Sequence, residues 1–188
     1  MSILAIDIGG TKFSAALFRG GRMARRETRR TDREGGREWM LEQLRGIASA
    51  WQAEEPFTAV GVGFGGPVDF ASQQVVLSTH VGGWQDFDLP GWLRGEFGVP
   101  VRMDNDANAG ALGEGMHGAG RGFRPLFYMT LSTGIGGGIL LDTGLYRGAD
   151  SYAGEIGHLN IRPDGPPCLC GSSHSPQHMR SKQPLEPM

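Results

Sequence analysis

The chain has 188 residues, of which 39% are apolar and 32 are glycine, and its 18 basic and 20 acidic side chains leave a formal charge of −2. That near balance gives no reason to expect nucleic acid or an anionic membrane as a partner. No apolar run approaches the roughly 18 residues of a membrane span, and the start lacks the features of a signal peptide. We therefore predict a cytoplasmic protein.

The first predicted element is a strand–turn–strand unit. Residues 3–8 form a buried-strand pattern, Gly9-Gly10-Thr11-Lys12 follows as a turn, and residues 13–18 form a second strand. Glycine lets a ligand approach backbone N–H groups closely, so such a turn is a natural phosphate cradle. Asp7 ends the first strand, where an acid is costly to bury unless it is paired or holds a cation.

A third strand is predicted at residues 22–30, in a region crowded with arginine. The eight arginines of this region are Arg19, Arg22, Arg25, Arg26, Arg29, Arg30, Arg33 and Arg37. They could form a polyanion-binding face or a solvated edge strand protected by charge. Interleaved acids such as Glu27, Asp32 and Glu34 favour the edge strand.

The central part of the chain alternates helices and strands: a helix at 36–54, a strand at 58–64, a short strand at 75–77, a helix at 89–97 and a strand at 99–103. The strand at 58–64 carries alternating glycines and runs into Gly65-Gly66-Pro67. Glycine in a strand indicates close approach of a packed helix or a ligand. A tight turn that leaves the sheet explains this loop equally well.

Polar residues open the next helix. Asp104, Asn105 and Asp106 precede a predicted helix through Glu114, and helix capping is a common use of such residues. Three in a row, with Asn108 just beyond, exceed what a cap requires. Glycine then clusters in 115–125, where we place the boundary between two lobes, 1–118 and 119–171.

The second lobe begins with a glycine hairpin at 126–142. Its turn carries Ser132, Thr133, Gly134 and Gly136, which suits a second phosphate cradle or a hairpin without a ligand. Glu155 and His158 follow at a spacing that shares one face of a helical turn. They could form a surface pair or a ligand contact. A strand is predicted at 159–161.

These four motifs together resemble the ROK family of bacterial sugar kinases and sugar-responsive repressors. The motifs are Asp7-Ile8-Gly9-Gly10-Thr11-Lys12, Asn105-Asp106-Ala107-Asn108, the turn at 131–139 and Glu155-Ile156-Gly157-His158. The resemblance runs from residue 3 to about 171. It implies an α/β, actin-like ATPase (ribonuclease H-like) fold with a complete N-terminal lobe and a partial C-terminal lobe.

The resemblance also implies a reaction, ATP-dependent phosphorylation of a hexose. Asp106 would be the catalytic base, and the implied sugar contacts are Gly66, Asn105, Asp106, Glu155 and His158. Asp7 would bind Mg²⁺, and the implied phosphate contacts are Gly9, Gly10, Thr11, Lys12, Ser132, Thr133, Gly134 and Gly136. Glucose is the first choice of sugar; mannose, fructose and N-acetylated hexosamines stay open. A homodimer is implied by the family alone.

Two departures from the family pattern lie near the end of the chain. A zinc site is implied at His158, Cys168 and Cys170, and the C-x-C spacing suits a metal better than a disulfide. Ser175 stands at the fourth ligand position and Gln177 at the family's final Glu; His174 and His178 are alternative ligands.

The segment 172–188 is polar and rich in proline, so we predict a disordered tail. It cannot replace the helices that complete the second lobe in the family. We therefore predict a C-terminally truncated chain that exposes an apolar face of the second hairpin.

Two other classes of function compete with a kinase. A non-catalytic, sugar-binding or regulatory protein is the first, although the strand at Ile3 leaves no room for a preceding helix-turn-helix. A dinucleotide-binding oxidoreductase is the second. It is disfavoured because no glycine turn opens a helix in a βαβ unit with the required downstream acid.

Overall fold

The computed structural model describes residues 1–132 and 134–160. Its elements are β1 (Ser2–Ile8), β2 (Lys12–Arg19), β3 (Arg22–Arg30), α1 (Gly36–Glu54), β4 (Ala59–Phe64), β5 (Val68–Asp69), β6 (Gln74–Val75), α2 (Leu89–Phe97), β7 (Val101–Asn105), α3 (Asp106–His117), β8 (Leu126–Leu131), β9 (Ile135–Leu141), β10 (Gly144–Tyr146) and a 3-10 turn (Ile156–His158). The chain forms two compact units that divide inside α3, between Ala109 and Gly110. The sequence suggests a division slightly later, at residue 118.

The first unit is built on a five-stranded sheet in the order β3-β2-β1-β4-β7. Strands β1, β2 and β3 form an antiparallel meander, whereas β4 pairs parallel to β1 and β7 pairs parallel to β4. Parallel neighbours need a crossover connection. The helix α1 lies in the connection between β3 and β4, and α2 lies in the connection before β7.

One face of this sheet forms the core of the first unit. Alternate residues of the central strands are buried, including Leu4, Ile6 and Ile8 in β1, because successive side chains point to opposite faces. They pack with apolar residues of both helices in one continuous cluster. Each fully buried leucine or isoleucine stabilises the fold by about 1.5–3 kcal/mol.

The opposite face of β1, β2 and β3 carries small and polar side chains. Asp7 is paired with Ser14 across β1 and β2, and the Ser14 and Thr28 hydroxyls lie 2.9 Å apart. Direct cross-strand partners share a face of the sheet. Asp7, Ser14 and Thr28 therefore lie in one row on the face away from the core.

The second unit contains the antiparallel sheet β10-β9-β8. Within this unit the C-terminal half of α3 packs on the sheet. The contact is close, since a Cβ added at Gly115 would collide with the Leu140 side chain. Alternate residues of β8 stay exposed: Phe127, Met129 and Leu131 are 52%, 51% and 59% exposed. The predicted open apolar face of this hairpin is therefore present.

Three predicted strands differ from the structure. The strand predicted at 99–103 lies two residues later, so that Asp104 and Asn105 belong to β7. The strand at 75–77 is shorter and earlier, since β6 ends at Val75 and the Val76 N–H bonds to the Pro67 carbonyl. The strand predicted at 159–161 is wrong for Leu159 and Asn160, because the Leu159 N–H closes the 3-10 turn on Ile156. Ile161 lies outside the described residues, as does the predicted disordered tail.

Candidate functional site

Three parallel strands of the first unit end at the same level. Ile8 is in register with Phe64, and Phe64 is in register with Asn105. Carboxyl ends of parallel strands form the usual ligand-binding edge of an open α/β sheet. The residues that follow these three ends are the first glycine turn, the Gly65-Gly66 loop and the start of α3.

Two side chains of the segment after β3 form hydrogen bonds to the first glycine turn. The Gly9 N–H donates to the Lys12 carbonyl at 3.0 Å and closes the turn. The Thr31 hydroxyl donates to the Gly9 carbonyl at 2.9 Å, and Arg33 Nε donates to the Gly10 carbonyl at 3.1 Å. The Gly9 amide therefore shapes the turn instead of facing a ligand. Sequence reasoning missed Thr31 and Arg33, because nothing in their local pattern points to the turn.

His80 is a second contact that the sequence did not reveal. A Cβ at position 10 would lie 2.5 Å from the His80 Cβ, so packing against His80 favours glycine at this position. Burial lowers the pKa of His80, and the nearby Arg33 charge lowers it further. The imidazole is therefore held toward its neutral form beside the turn.

Gly65 brings all three loops together. Its N–H donates to the Ile8 carbonyl at 2.7 Å. A Cβ at position 65 would lie 2.9 Å from the Ile8 oxygen and 3.4 Å from both the Gly9 Cα and the Asp106 Oδ2. Only glycine fits this close approach. Asp106 therefore lies next to the glycine loop, as an exposed residue at the first position of α3.

Asn105 is a structural link as well as a candidate sugar contact. Its Oδ1 accepts hydrogen bonds from the Ala107 N–H at 2.9 Å and the Asn108 N–H at 3.3 Å, which caps α3. Its Nδ2 donates to the Gly66 carbonyl at 3.1 Å. The amide group carries a second N–H.

Asp7 lies at the end of β1 with an exposed side chain. Partial burial of its carboxyl group raises the pKa, although the positive charges of Lys12 and Arg26 oppose this rise. A cation beside Asp7 would stabilise its charged form.

Gln73 supports the strand that carries Asn105. It is buried, and its side-chain amide accepts from the Met103 N–H at 2.9 Å and donates to the Met103 carbonyl at 3.0 Å. The side chain therefore acts as a short strand along β7. The sequence offered no signal for this contact.

The second glycine turn lies in the second unit. Leu131 pairs with Ile135 across its mouth, and the Ser132 N–H donates to the Gly134 carbonyl at 2.9 Å. Ser132 is exposed, and Gly136 is a residue of β9 that pairs with Thr130. Thr133 lies outside the described residues.

Glu155 and His158 come together at the 3-10 turn. The His158 Nε2 lies 4.0 Å from the Glu155 Oε2, and burial raises the pKa of Glu155 while the histidine opposes the rise. Gly154 has a φ of +89°, and a Cβ on it would lie 2.5 Å from the Gly137 carbonyl oxygen. These two glycines let the backbone before Glu155 lie directly on β9.

The zinc prediction falls largely outside the described part of the chain. Of its ligands only His158 is described; Cys168 and Cys170 are not, and neither are Ser175 and Gln177. Among the described residues no three side chains of His, Cys, Asp or Glu are grouped to hold a metal ion.

None of the described helices has the length and apolar character to cross a bilayer.

The fold of the chain is that of an actin-like ATPase, of which it covers part. The sequence matches the ROK family over residues 3–186. The chain therefore belongs to the ROK family.

Three relatives illustrate the range of the family. A glucokinase from Thermotoga maritima is 35% identical over 173 residues, which cover 92% of this chain and 55% of the relative. A xylose repressor from Bacillus spizizenii is 38% identical over 119 residues, or 63% of this chain and 31% of the repressor. A crystal structure of a ROK family glucokinase from Streptomyces griseus, in complex with glucose and AMPPNP, is 32% identical with a TM-score of 0.84, over 95% of this chain and 56% of that one. The chain spans about half the length of these kinases.

Proposed function

We propose that this chain carries the acceptor site and part of the donor site of an ATP-dependent hexose kinase. The observation that supports this most directly is the convergence at Gly65, where a Cβ would lie 3.4 Å from both Gly9 Cα and Asp106 Oδ2. One edge of the sheet thereby places a carboxylate beside a glycine turn. Phosphoryl transfer to an alcohol needs such a base near the hydroxyl and such a cradle for the phosphates.

In the proposed reaction Asp106 accepts the proton of a sugar hydroxyl. The hydroxyl oxygen forms a bond to the γ-phosphorus of ATP while the bond from that phosphorus to the leaving ADP oxygen breaks. Asn105 orients the hydroxyl with its second amide hydrogen. Glu155 and His158, in the second unit, carry an acceptor and a donor of the kind that suits a polyol.

Asp7 is the side chain that fits a magnesium ion. Mg²⁺ is usually bound by one or two carboxylates together with substrate phosphates and water. The position of Asp7 beside the first glycine turn supports this assignment. Burial raises the pKa of its carboxyl group, and a nearby cation would favour the charged form. When bound, the ion neutralises negative charge on the donor phosphates.

Glucose is the sugar that we propose to test first, because the Thermotoga maritima and Streptomyces griseus relatives are glucokinases. A second candidate function is sugar binding without phosphoryl transfer. The 38% identity to a xylose repressor supports this alternative.

The deciding experiment measures hexose binding by calorimetry and Mg²⁺–ATP-dependent phosphorylation for the 188-residue chain. Asp106→Asn keeps the shape of the side chain but removes the base, and should lower turnover by about 10²–10⁴-fold with sugar binding retained. Asp142→Asn, at an exposed acid of the β9–β10 turn, is the matched control. Sugar binding without turnover would favour the regulatory alternative. Turnover that survives in Asp106→Asn would refute the assigned base.

A further inference from the structure

The carboxyl group of the proposed base is held by the backbone of its own helix. The Ala107 N–H donates to the Asp106 Oδ1 at 2.8 Å and to the Asn105 Oδ1 at 2.9 Å. The other oxygen, Asp106 Oδ2, is the one beside the glycine loop, 3.4 Å from a Cβ at Gly65. The direction of this carboxylate therefore depends on how firmly Asn105 and the start of α3 are fixed.

Two further side chains fix Asn105. The Asp104 Oδ1 accepts from the Asn105 N–H at 2.9 Å and from the Asn108 Nδ2 at 3.0 Å. In return, the Asn108 N–H donates to the Asn105 Oδ1 at 3.3 Å. Three hydrogen bonds thus join the last two residues of β7 to the first turn of α3 in a closed network.

Asn108 occupies a position that packing alone would give to an apolar side chain. It is only 2% exposed, and its Oδ1 has no hydrogen-bond partner within the described part of the chain. A buried acceptor without a partner lowers stability, since its hydration is lost and not replaced. The bond from its Nδ2 to Asp104 is the interaction that an apolar residue could not supply.

Helix capping does not explain this network. A cap needs one side-chain oxygen that accepts from the N–H groups of the first turn, and Asn105 already provides it. Asp104 bonds instead to the capping residue itself and to Asn108. It therefore holds the cap in place.

The start of α3 also lies close against the sheet. A Cβ at Gly63 of β4 would lie 3.6 Å from the Asp106 Cα and 3.7 Å from the Ala109 Cβ. Gly63 is in turn the register partner of Asp104. The hydrogen-bond network and this backbone contact together set where Asp106 lies relative to β4 and to the glycine loop that follows it.

We propose that Asp104 and Asn108 are positioning residues, which set the direction of the Asp106 carboxylate through Asn105 during phosphoryl transfer to a hexose. Asp104 serves as a hydrogen-bond acceptor, and its negative charge is dispensable. This inference rests on the proposed function for the role of Asp106 as the base. The hydrogen bonds themselves can be followed without any substrate.

The test is steady-state kinetics of Mg²⁺–ATP-dependent glucose phosphorylation by the 188-residue chain and its variants. Asn108→Ala and Asp104→Ala should each lower kcat by about 10–100-fold, because a displacement of about 1 Å can cost about 10²-fold in rate. Asp104→Asn keeps an acceptor oxygen and should restore kcat to near the wild-type value. Because the two residues share one hydrogen bond, the double alanine variant should lose no more than Asp104→Ala alone.

Ala111→Gly is the control for a merely structural effect. Ala111 is fully buried in α3, and glycine there destabilises the helix without touching the network. Its kcat, measured well below the unfolding temperature, should stay near the wild type. The proton NMR resonance of the Asn105 amide is a second readout, which needs no substrate. Asn108→Ala should shift this resonance, and Ala111→Gly should leave it in place.

Three kinetic results would overturn the proposal: a wild-type kcat in Asn108→Ala, a loss in Asp104→Asn as large as in Asp104→Ala, or losses that multiply in the double variant. An Asn105 resonance that Asn108→Ala leaves unmoved would overturn it as well. If the wild type phosphorylates no hexose, the proposed kinase function fails. The Asn105 resonance then decides alone whether Asn108 fixes Asn105 through Asp104.

Discussion

Asn105 donates a hydrogen bond through Nδ2 to the carbonyl oxygen of Gly66 at 3.1 Å, while its Oδ1 caps α3. One side chain therefore ties the glycine loop after β4 to the helix that begins with Asp106. If this link fails, the loop and the proposed base lose their common support. The oxygen and the nitrogen of this amide group have different partners, and two substitutions distinguish their contributions.

Asn105→Ala removes both functions and should lower the free energy of unfolding by about 0.5–2 kcal/mol from the lost cap alone. Asn105→Asp keeps an oxygen for the cap but replaces the donor to Gly66 with an acceptor. We expect it to be less stable than the wild type in urea, because two acceptor oxygens then face each other, and to bind hexose more weakly. Wild-type sugar binding by the Asp variant would show that the Gly66 contact is unimportant for the site.

Gly65→Ala should destabilise the protein and disturb the site together. The new Cβ would lie 2.9 Å from the Ile8 carbonyl oxygen, a backbone atom that cannot move aside cheaply. Overpacking of this kind costs about 1–3 kcal/mol. Gly61→Ala in β4 is the control, because nothing lies within 4 Å of its added Cβ. Denaturant unfolding that ranks the two variants equally would contradict the packing argument.

Gln73→Ala should lower the free energy of unfolding by about 1–3 kcal/mol, because it leaves the Met103 N–H and carbonyl without their side-chain partner. Gln73→Glu keeps an acceptor for the N–H but turns a buried carboxylate toward the Met103 and Phe70 carbonyls, so it should also be less stable than the wild type in urea unfolding. The exposed neighbour Gln74 provides the control in Gln74→Ala. Equal stability of the two alanine variants would argue against the strand-like role of Gln73.

Glu55 should make the free energy of unfolding depend on pH. Hydrogen bonds from Arg19 and Ser2 lower its pKa from 4.5 to about 2. A carboxyl with a depressed pKa stabilises the folded state above its unfolded pKa, and this contribution is lost as the pH falls from 4.5 toward 2. Glu55→Gln should therefore be less stable than the wild type at pH 7, and the difference should shrink across that window.

The measurement for Glu55 is urea unfolding at several pH values. Glu54→Gln, which removes an exposed ion pair to Arg25, shows what the loss of a single surface pair does. A stability difference for Glu55→Gln that stays constant from pH 7 to pH 2 would be inconsistent with the assigned pKa.

The exposed face of β8 should make the 188-residue chain self-associate. Phe127, Met129 and Leu131 alternate along the strand and so share one face, and contiguous apolar patches promote association. The double variant Phe127→Thr with Met129→Thr should shift sedimentation toward the monomer. Met116→Gln, at a separate exposed apolar residue of α3, should not. Sedimentation of the double variant that matches the wild type would place the association elsewhere.

Most of the strands and helices could be predicted because their signals are local. The glycine turn at residues 9–12 and the polar start of α3 are visible as short motifs, and the structure places both at one edge of the sheet. The contacts of Arg33 and His80 with the turn could not be predicted, because they join residues distant in sequence whose types are common in loops. The strand predicted at Leu159 failed for the opposite reason: a local apolar pattern was overridden by closure of the preceding turn.

The parallel pairing of β1, β4 and β7 has a consequence for how the protein folds. The meander β1-β2-β3 joins neighbours in sequence, whereas the register of Ile8 with Phe64, and of Phe64 with Asn105, requires closure of long loops. Long-range pairing is slow, since loop entropy is lost before the contacts form. The first glycine turn can therefore form early, but Asp106 reaches it only when the last parallel pair is made. Ligand binding during refolding should consequently appear at the end of the folding reaction, and would serve as a kinetic marker of its completion.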